Sequence, residues 1–157
     1  MKILAVDFGE ARTGLAVCDQ MELLASPAGV LHDHNFQRVL EKTAQAAREQ
    51  GVQEIVVGLP KNMNNSLGER AQRCQDFARA LQQLVEVPVG MWDERSTTVS
   101  AIQVLNTTDT RGKKRKNVVD AVAATIILES YLAYRRNHPG GRALPPPAAE
   151  APDPTAP

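Results

Sequence analysis

The stretch from Lys2 to Asp19, K-I-L-A-V-D-F-G-E-A-R-T-G-L-A-V-C-D, constrains this chain more than any other. Ile3 to Val6 is a β-rich apolar run of strand length, and it ends on a carboxylate, Asp7. Gly9 opens a turn, and Thr13 to Cys18 reads as a second strand, so a hairpin is expected. An aspartate at the end of a buried strand must be solvated, paired or bound to a cation, because an isolated charge is costly to take out of water. A blander account makes Asp7 a turn residue that hydrogen-bonds its own backbone. The rest of the chain favours the first account.

With 157 residues and 43% hydrophobic composition, the chain suits one domain with a substantial core. Acidic and basic residues balance at eighteen each, so net charge excludes no class of partner. Cys18 and Cys74 have neither metal-site spacing nor a disulfide framework, which points to a reducing cytoplasm. The first apolar run stops at Asp7, too short for a signal peptide, and no run reaches membrane-spanning length.

A third strand is expected around Ala28 to Leu31, after a break at Ser26-Pro27. Asn35 is a candidate N-cap for a helix that stops at Gly51, with Phe36, Val39, Leu40, Thr43, Ala46 and Ala47 at helical spacing. Glu54 to Leu59, E-I-V-V-G-L, reads as a fully buried parallel strand. After a polar loop, Ser66-Leu67-Gly68-Glu69 fits a capping box for a helix to about Val85. Val87 to Trp92 is a fifth strand, with Pro88 near its start. A helix follows from Ser96 to Asn106, then a polar loop from Thr107 to Lys116, then a last helix from Asn117 to Asn137. This order implies an α/β fold with a mixed five-stranded sheet, its first three strands antiparallel, flanked by helices. The domain is taken as residues 1–138. Residues 139–157 read as a disordered Pro/Ala-rich tail, since Ala143 to Pro157 carries six of the ten prolines.

Ligands of an open α/β sheet bind beyond the carboxyl ends of its strands. Asp7 ends the first strand, and Asp93 and Glu94 end the fifth. Asp120 is the only charge within V-V-D-A-V-A-A-T-I-I-L, on a stripe shared with Ala123, Ala124, Ile127 and Tyr131. Singly, each has an ordinary explanation, such as a helix-dipole contact for Asp120. Together, convergent carboxylates repel unless a cation neutralises them. Oxygen-only donors favour Mg2+ or Mn2+, and a pair of such ions can drive phosphodiester hydrolysis. Glu69 is set aside as a capping residue, and His32, His34 and His138 as surface residues.

Arg111 to Lys116, R-G-K-K-R-K, abuts the helix of Asp120 and could neutralise phosphates, chiefly through Lys113, Lys114, Arg115 and Lys116. Arg12 in the hairpin turn, Lys61, Asn62 and Asn64 in the fourth-strand loop, and Arg95 are further candidate nucleic-acid contacts. Aromatics are too sparse for a base-stacking platform, with only Phe8 and Trp92 near the site.

D-F-G-E-A-R-T-G from Asp7, G-L-P-K-N-M-N from Gly58, D-E-R-S-T-T from Asp93 and K-K-R-K-N-V-V-D-A-V-A-A from Lys113 resemble the YqgF family of Holliday-junction-resolvase-like proteins. The resemblance covers roughly residues 1–137. It implies a ribonuclease-H-like fold and a nuclease that trims the precursor of small-subunit (16S) ribosomal RNA, with resolvase activity on branched DNA as the older alternative. Carried over, the catalytic and metal-binding acids are Asp7, Glu94 and Asp120, with Asp93 a second candidate ligand. Related resolvases place an acid at the end of the fourth strand, where this chain has Gly58-Leu59-Pro60. The expected partner is structured RNA or branched DNA, bound by a monomer or homodimer in the cytoplasm. Two readings of another class remain: a non-catalytic RNA-binding protein, or one half of an actin-like phosphate-binding fold, whose hairpin D-F-G-x-x-x-T-G is similar.

Overall fold

A computed structural model describes residues 1–60, 68–93 and 113–147, with the backbone but not the side chains of 113–120. Strands β1 (Ile3–Asp7) and β2 (Arg12–Cys18) form the expected hairpin, with Asp7 opposite Gly14. Its turn requires glycine at position 9, where a Cβ would stand 2.4 Å from the Arg12 carbonyl oxygen. Strand β3 (Ala25–His32) pairs antiparallel with β2 and runs straight through Ser26-Pro27, where a break was expected. A bulge between Leu15 and Ala16 and the positive φ of Gly29 (121°) absorb the irregularity, and β3 is a sheet edge, where proline is tolerated.

Helix α1 (Phe36–Gln50) has the expected ends: Asn35 Oδ1 accepts from the Arg38 N–H at 2.9 Å, and Gly51 turns left-handed at φ 63°. Strand β4 (Glu54–Leu59), buried throughout, pairs parallel with β1. Helix α2 (Glu69–Gln82) starts on Gly68 as N-cap, with no side-chain cap bond. The expected capping box therefore does not hold: Glu69 is the first helical residue, not the third, and Ser66 lies outside the described residues. Strand β5 (Val89–Asp93) pairs parallel with β4, giving the order β3-β2-β1-β4-β5. The helix expected over 96–106 lies outside the described residues.

Helix α3 (Lys113–Asn137) begins four residues before Asn117. Lys113 to Lys116 are thus its first turn rather than part of a loop, because Lys and Arg are good helix formers, while 107–112 lie outside the described residues.

Alternation divides the core in two. Leu4, Val6, Phe8, Ile55, Val57, Leu59, Val89 and Met91 pack under α1 and α2. Ile3, Ala5, Val56 and Trp92 belong to the face under α3, against Ala124, Ile127, Leu128 and Tyr131. Phe8 is core rather than site: it stacks on Phe77 at 4.3 Å and meets Phe36 edge-on.

Residues 139–147 also depart from expectation. The Met91 N–H donates to the Leu144 carbonyl at 2.7 Å, a bridge on the outer edge of β5. Gly90 makes room for this strand-like segment, since a Cβ there would lie 2.7 Å from Ala143 Cβ. Proline favours extended backbone, which is the shape an edge strand can pair with. The remainder, 148–157, lies outside the described residues.

Candidate active site

Asp7 stands at the carboxyl end of β1, on the face of Ile3 and Ala5, which is the α3 face. Its side chain is only 15% exposed, and Arg70 Nη2, from the first turn of α2, lies 3.7 Å from its Oδ1. The neighbouring position on β4 is Gly58, which contributes no carboxylate. The fourth strand therefore offers no acid beside Asp7. Asp93 is the last residue of β5, opposite Leu59 in the parallel pair. By alternation it follows Val89 and Met91, so it leaves the strand toward the α2 side and away from the face of Asp7.

Glu94 lies outside the described residues, as do Lys61, Asn62, Asn64 and Arg95. Position 120 is on the α3 backbone, one turn before Ala124 and two before Ile127, both buried against the sheet. Arg12 opens β2 beside the hairpin turn and is half-buried. Trp92 is held sideways, its Nε1–H donating to Ser130 Oγ at 3.1 Å and its ring tilted on Tyr131.

Between the hairpin turn and α2 lies a pocket of about 230 Å³, lined by Phe8, Gly9, Glu10, Glu69, Arg70 and Arg73. Arg73 pairs with Glu10 across it. Sequence reading set Glu69 aside as a capping residue and missed both arginines. The signal was available: E-R-A-Q-R sets two arginines three residues apart at a helix start, where the dipole opposes cations.

No three of His, Cys, Asp and Glu stand close enough to hold a metal among the described residues. Asp7 nonetheless suits a hard cation: a mostly buried oxygen donor whose guanidinium partner is held beyond the roughly 2.7–2.9 Å of a charge-assisted hydrogen bond. Among the described residues no helix is long and apolar enough to cross a membrane.

The fold resembles that of Thermus thermophilus RuvC solved with a Holliday junction substrate, with a TM-score of 0.59 at 12% identity, covering 88% of this chain and 97% of that one. The fowlpox virus Holliday junction resolvase gives 0.54 at 13% identity, covering 85% and 99%. At such low identities the likeness shows a shared fold, of the ribonuclease-H-like class, and nothing of activity. Sequence relatives are far more similar. A Halothermothrix orenii protein named "Putative pre-16S rRNA nuclease" is 42% identical over 135 residues, 86% of this chain and 96% of its own. A Bacillus thuringiensis protein of the same name is 38% identical over 134 residues, 84% and 98%. The family model described as RuvX, Holliday junction resolvase, matches residues 1–134. The hairpin that ends β1 on Asp7, the mixed sheet and these matches agree: the chain belongs to the RuvX (YqgF) family.

Proposed function

We propose that this protein hydrolyses phosphodiester bonds in the precursor of 16S ribosomal RNA, with Mg2+ or Mn2+ held by Asp7, Glu94 and Asp120. Asp7 supports this most directly, as a shielded carboxylate at the ligand end of the sheet, on the face that α3 covers. The two sequence relatives carry the matching name over almost their whole length. Strand alternation supports Glu94 over Asp93. Asp93 shares the face of Val89 and Met91, opposite to that of Asp7, which leaves Glu94 the better candidate of the two. Helical spacing puts position 120 on the stripe of Ala124 and Ile127.

A bound divalent cation would supply an activated water and charge stabilisation for the leaving oxygen. The chain's own part is to gather the carboxylates and to hold the phosphate backbone. Lys113, Lys114, Arg115 and Lys116 are suited to that work: four cations in the first turn of α3 stand against the helix dipole, and phosphate would relieve them. Arg12, Lys61, Asn62, Asn64 and Arg95 would extend the same contact.

The test sets precursor 16S RNA fragments and four-way DNA junctions side by side with Mg2+ or Mn2+, with Asp120→Asn as control. Metal-dependent RNA cleavage that the control lacks is expected. Cleavage of junctions with RNA left intact would transfer the assignment to a resolvase, which the family's own description favours. No cleavage of either would sink the nuclease reading.

A further inference from the structure

We propose that Arg70 contacts a substrate phosphate, and that the cation at Asp7 controls its release to do so. This rests on the nuclease reading of Asp7. Arg70 comes from α2, on the opposite face of the sheet from α3, yet its guanidinium lies 3.7 Å from the Asp7 carboxylate. Its own side chain is 66% exposed, while Asp7 is only 15% exposed. Only the Arg70 end of the pair is exposed, and 3.7 Å is beyond hydrogen-bond length, so the guanidinium is held loosely and its long side chain turns easily. Helix stability does not explain its position, because a cation in the first turn of α2 is opposed by the dipole.

In the metal-free protein Arg70 partly neutralises Asp7. A divalent cation on the same carboxylate takes over that task with greater charge and repels the guanidinium. The space open to it is the pocket between the hairpin turn and α2, beside Gly9. Arg73, one turn further on, is occupied by Glu10, so Arg70 is the arginine that metal binding frees. Glu69 and Glu10 in the same wall disfavour a second anion, which limits the pocket to one phosphate held by the guanidinium fork. That phosphate would neighbour the scissile one on the nucleic-acid backbone. Metal binding and substrate binding then become coupled through one side chain, and such coupling is reciprocal.

The test measures fluorescence anisotropy of a labelled RNA hairpin, and of a four-way DNA junction, with EDTA and with Ca2+ in place of Mg2+. Calorimetric titration of Mn2+ into the protein alone accompanies it. In the parent, Ca2+ should tighten binding of the preferred nucleic acid by about five- to tenfold or more. In Arg70→Gln this gain should shrink by about threefold or more, leaving what the cation contributes by itself. Mn2+ should bind the variant more tightly than the parent, because its competitor for Asp7 is gone. A merely structural role would weaken both. A gain unchanged within twofold, a parent with no Ca2+ effect, or weaker Mn2+ binding in the variant overturns the proposal. If the protein cleaves RNA but Arg70→Gln keeps the full gain, only this inference falls. If the gain is lost in a protein that cleaves nothing, the phosphate contact stands and the nuclease reading falls.

Discussion

Replacing Tyr131 by Phe removes one oxygen from the middle of the core, and the structure sets the size of the loss. Tyr131 is fully buried on α3, and its hydroxyl donates to Glu54 Oε1 at 2.7 Å. The same hydroxyl accepts from the Ala143 N–H at 3.0 Å, tying the C-terminal segment to the core. Glu54 is 2% exposed, and its Oε2 has no partner among the described residues. Phe keeps the ring beside Trp92 and under Arg135, so packing is preserved. It leaves the Glu54 carboxyl without its donor and the Ala143 N–H without its acceptor. The buried Glu54 oxygen deprived of its donor costs about 1–3 kcal/mol and the part-buried Ala143 N–H less, so roughly 3 kcal/mol is expected for the two. At about 2–4 °C per kcal/mol for a chain of this size, Tm should fall by roughly 6–12 °C. Urea unfolding gives the free energy and calorimetry the Tm. Glu54→Gln should cost less when combined with Tyr131→Phe than alone, since both changes break one network. Burial, then the bond to Glu54, pushes the Tyr131 hydroxyl up to about 12. The fold thus favours the neutral form. That stability is whole below about pH 10, the unfolded value, and is lost as pH rises through about 12. The alkaline fall should be shallower in Tyr131→Phe. A Tyr131→Phe protein within about 0.5 kcal/mol of the parent would refute the network's importance.

Asp7→Asn, Glu94→Gln and Asp120→Asn should each abolish metal-dependent cleavage while nucleic-acid binding in EDTA survives; Asp93→Asn should lose much less, and the reverse order of Glu94 and Asp93 would contradict the alternation argument. Neutralising Lys113, Lys114, Arg115 and Lys116 together should weaken binding to all sequences and flatten the log–log salt slope by up to about one for each phosphate these side chains neutralise; an unchanged slope would mean the turn touches no phosphate. Deleting Ala143 to Pro157 removes the bonds of Ala143 and Leu144, about 1 kcal/mol each, and should lower Tm by roughly 4–8 °C; an unchanged Tm would show the docked segment to be idle.

The elements with strong local signals were legible from the chain alone. Asn35 and Gly51 bound α1 because each offers the chemistry its position needs, an acceptor at one end and a left-handed turn at the other. Glu54–Leu59 could only be a central strand, buried on both faces. What escaped depends on partners distant in sequence. Pro27 looks like a breaker until β3 is seen to be an edge. Glu69 looks like a capping residue until Gly68 proves to hold the cap. Arg70 carries only the weak signature of a cation at a helix start, and nothing local names its partner, because Asp7 lies sixty-three residues earlier.

The C-terminal segment is the most instructive of these cases. Its prolines argue against helix and against a central strand, and from there disorder is a short step. They do not argue against an edge. β5 would otherwise end the sheet with a row of open backbone groups, and the segment covers part of that row through Leu144. Gly90 and Tyr131 are shaped for it, one by lacking a side chain and the other by offering an acceptor. The consequence reaches the site. Met91 lies two residues before Asp93 and three before Glu94, so the strand leading to the candidate acids is held on both sides, by β4 and by Leu144. In the proposed site a carboxylate meeting a cation with two partners would need such a fixed approach, because small displacements of reacting groups are costly to rate. The tail that composition sets apart from the domain thus contributes to the aim of the strand from which the acids leave.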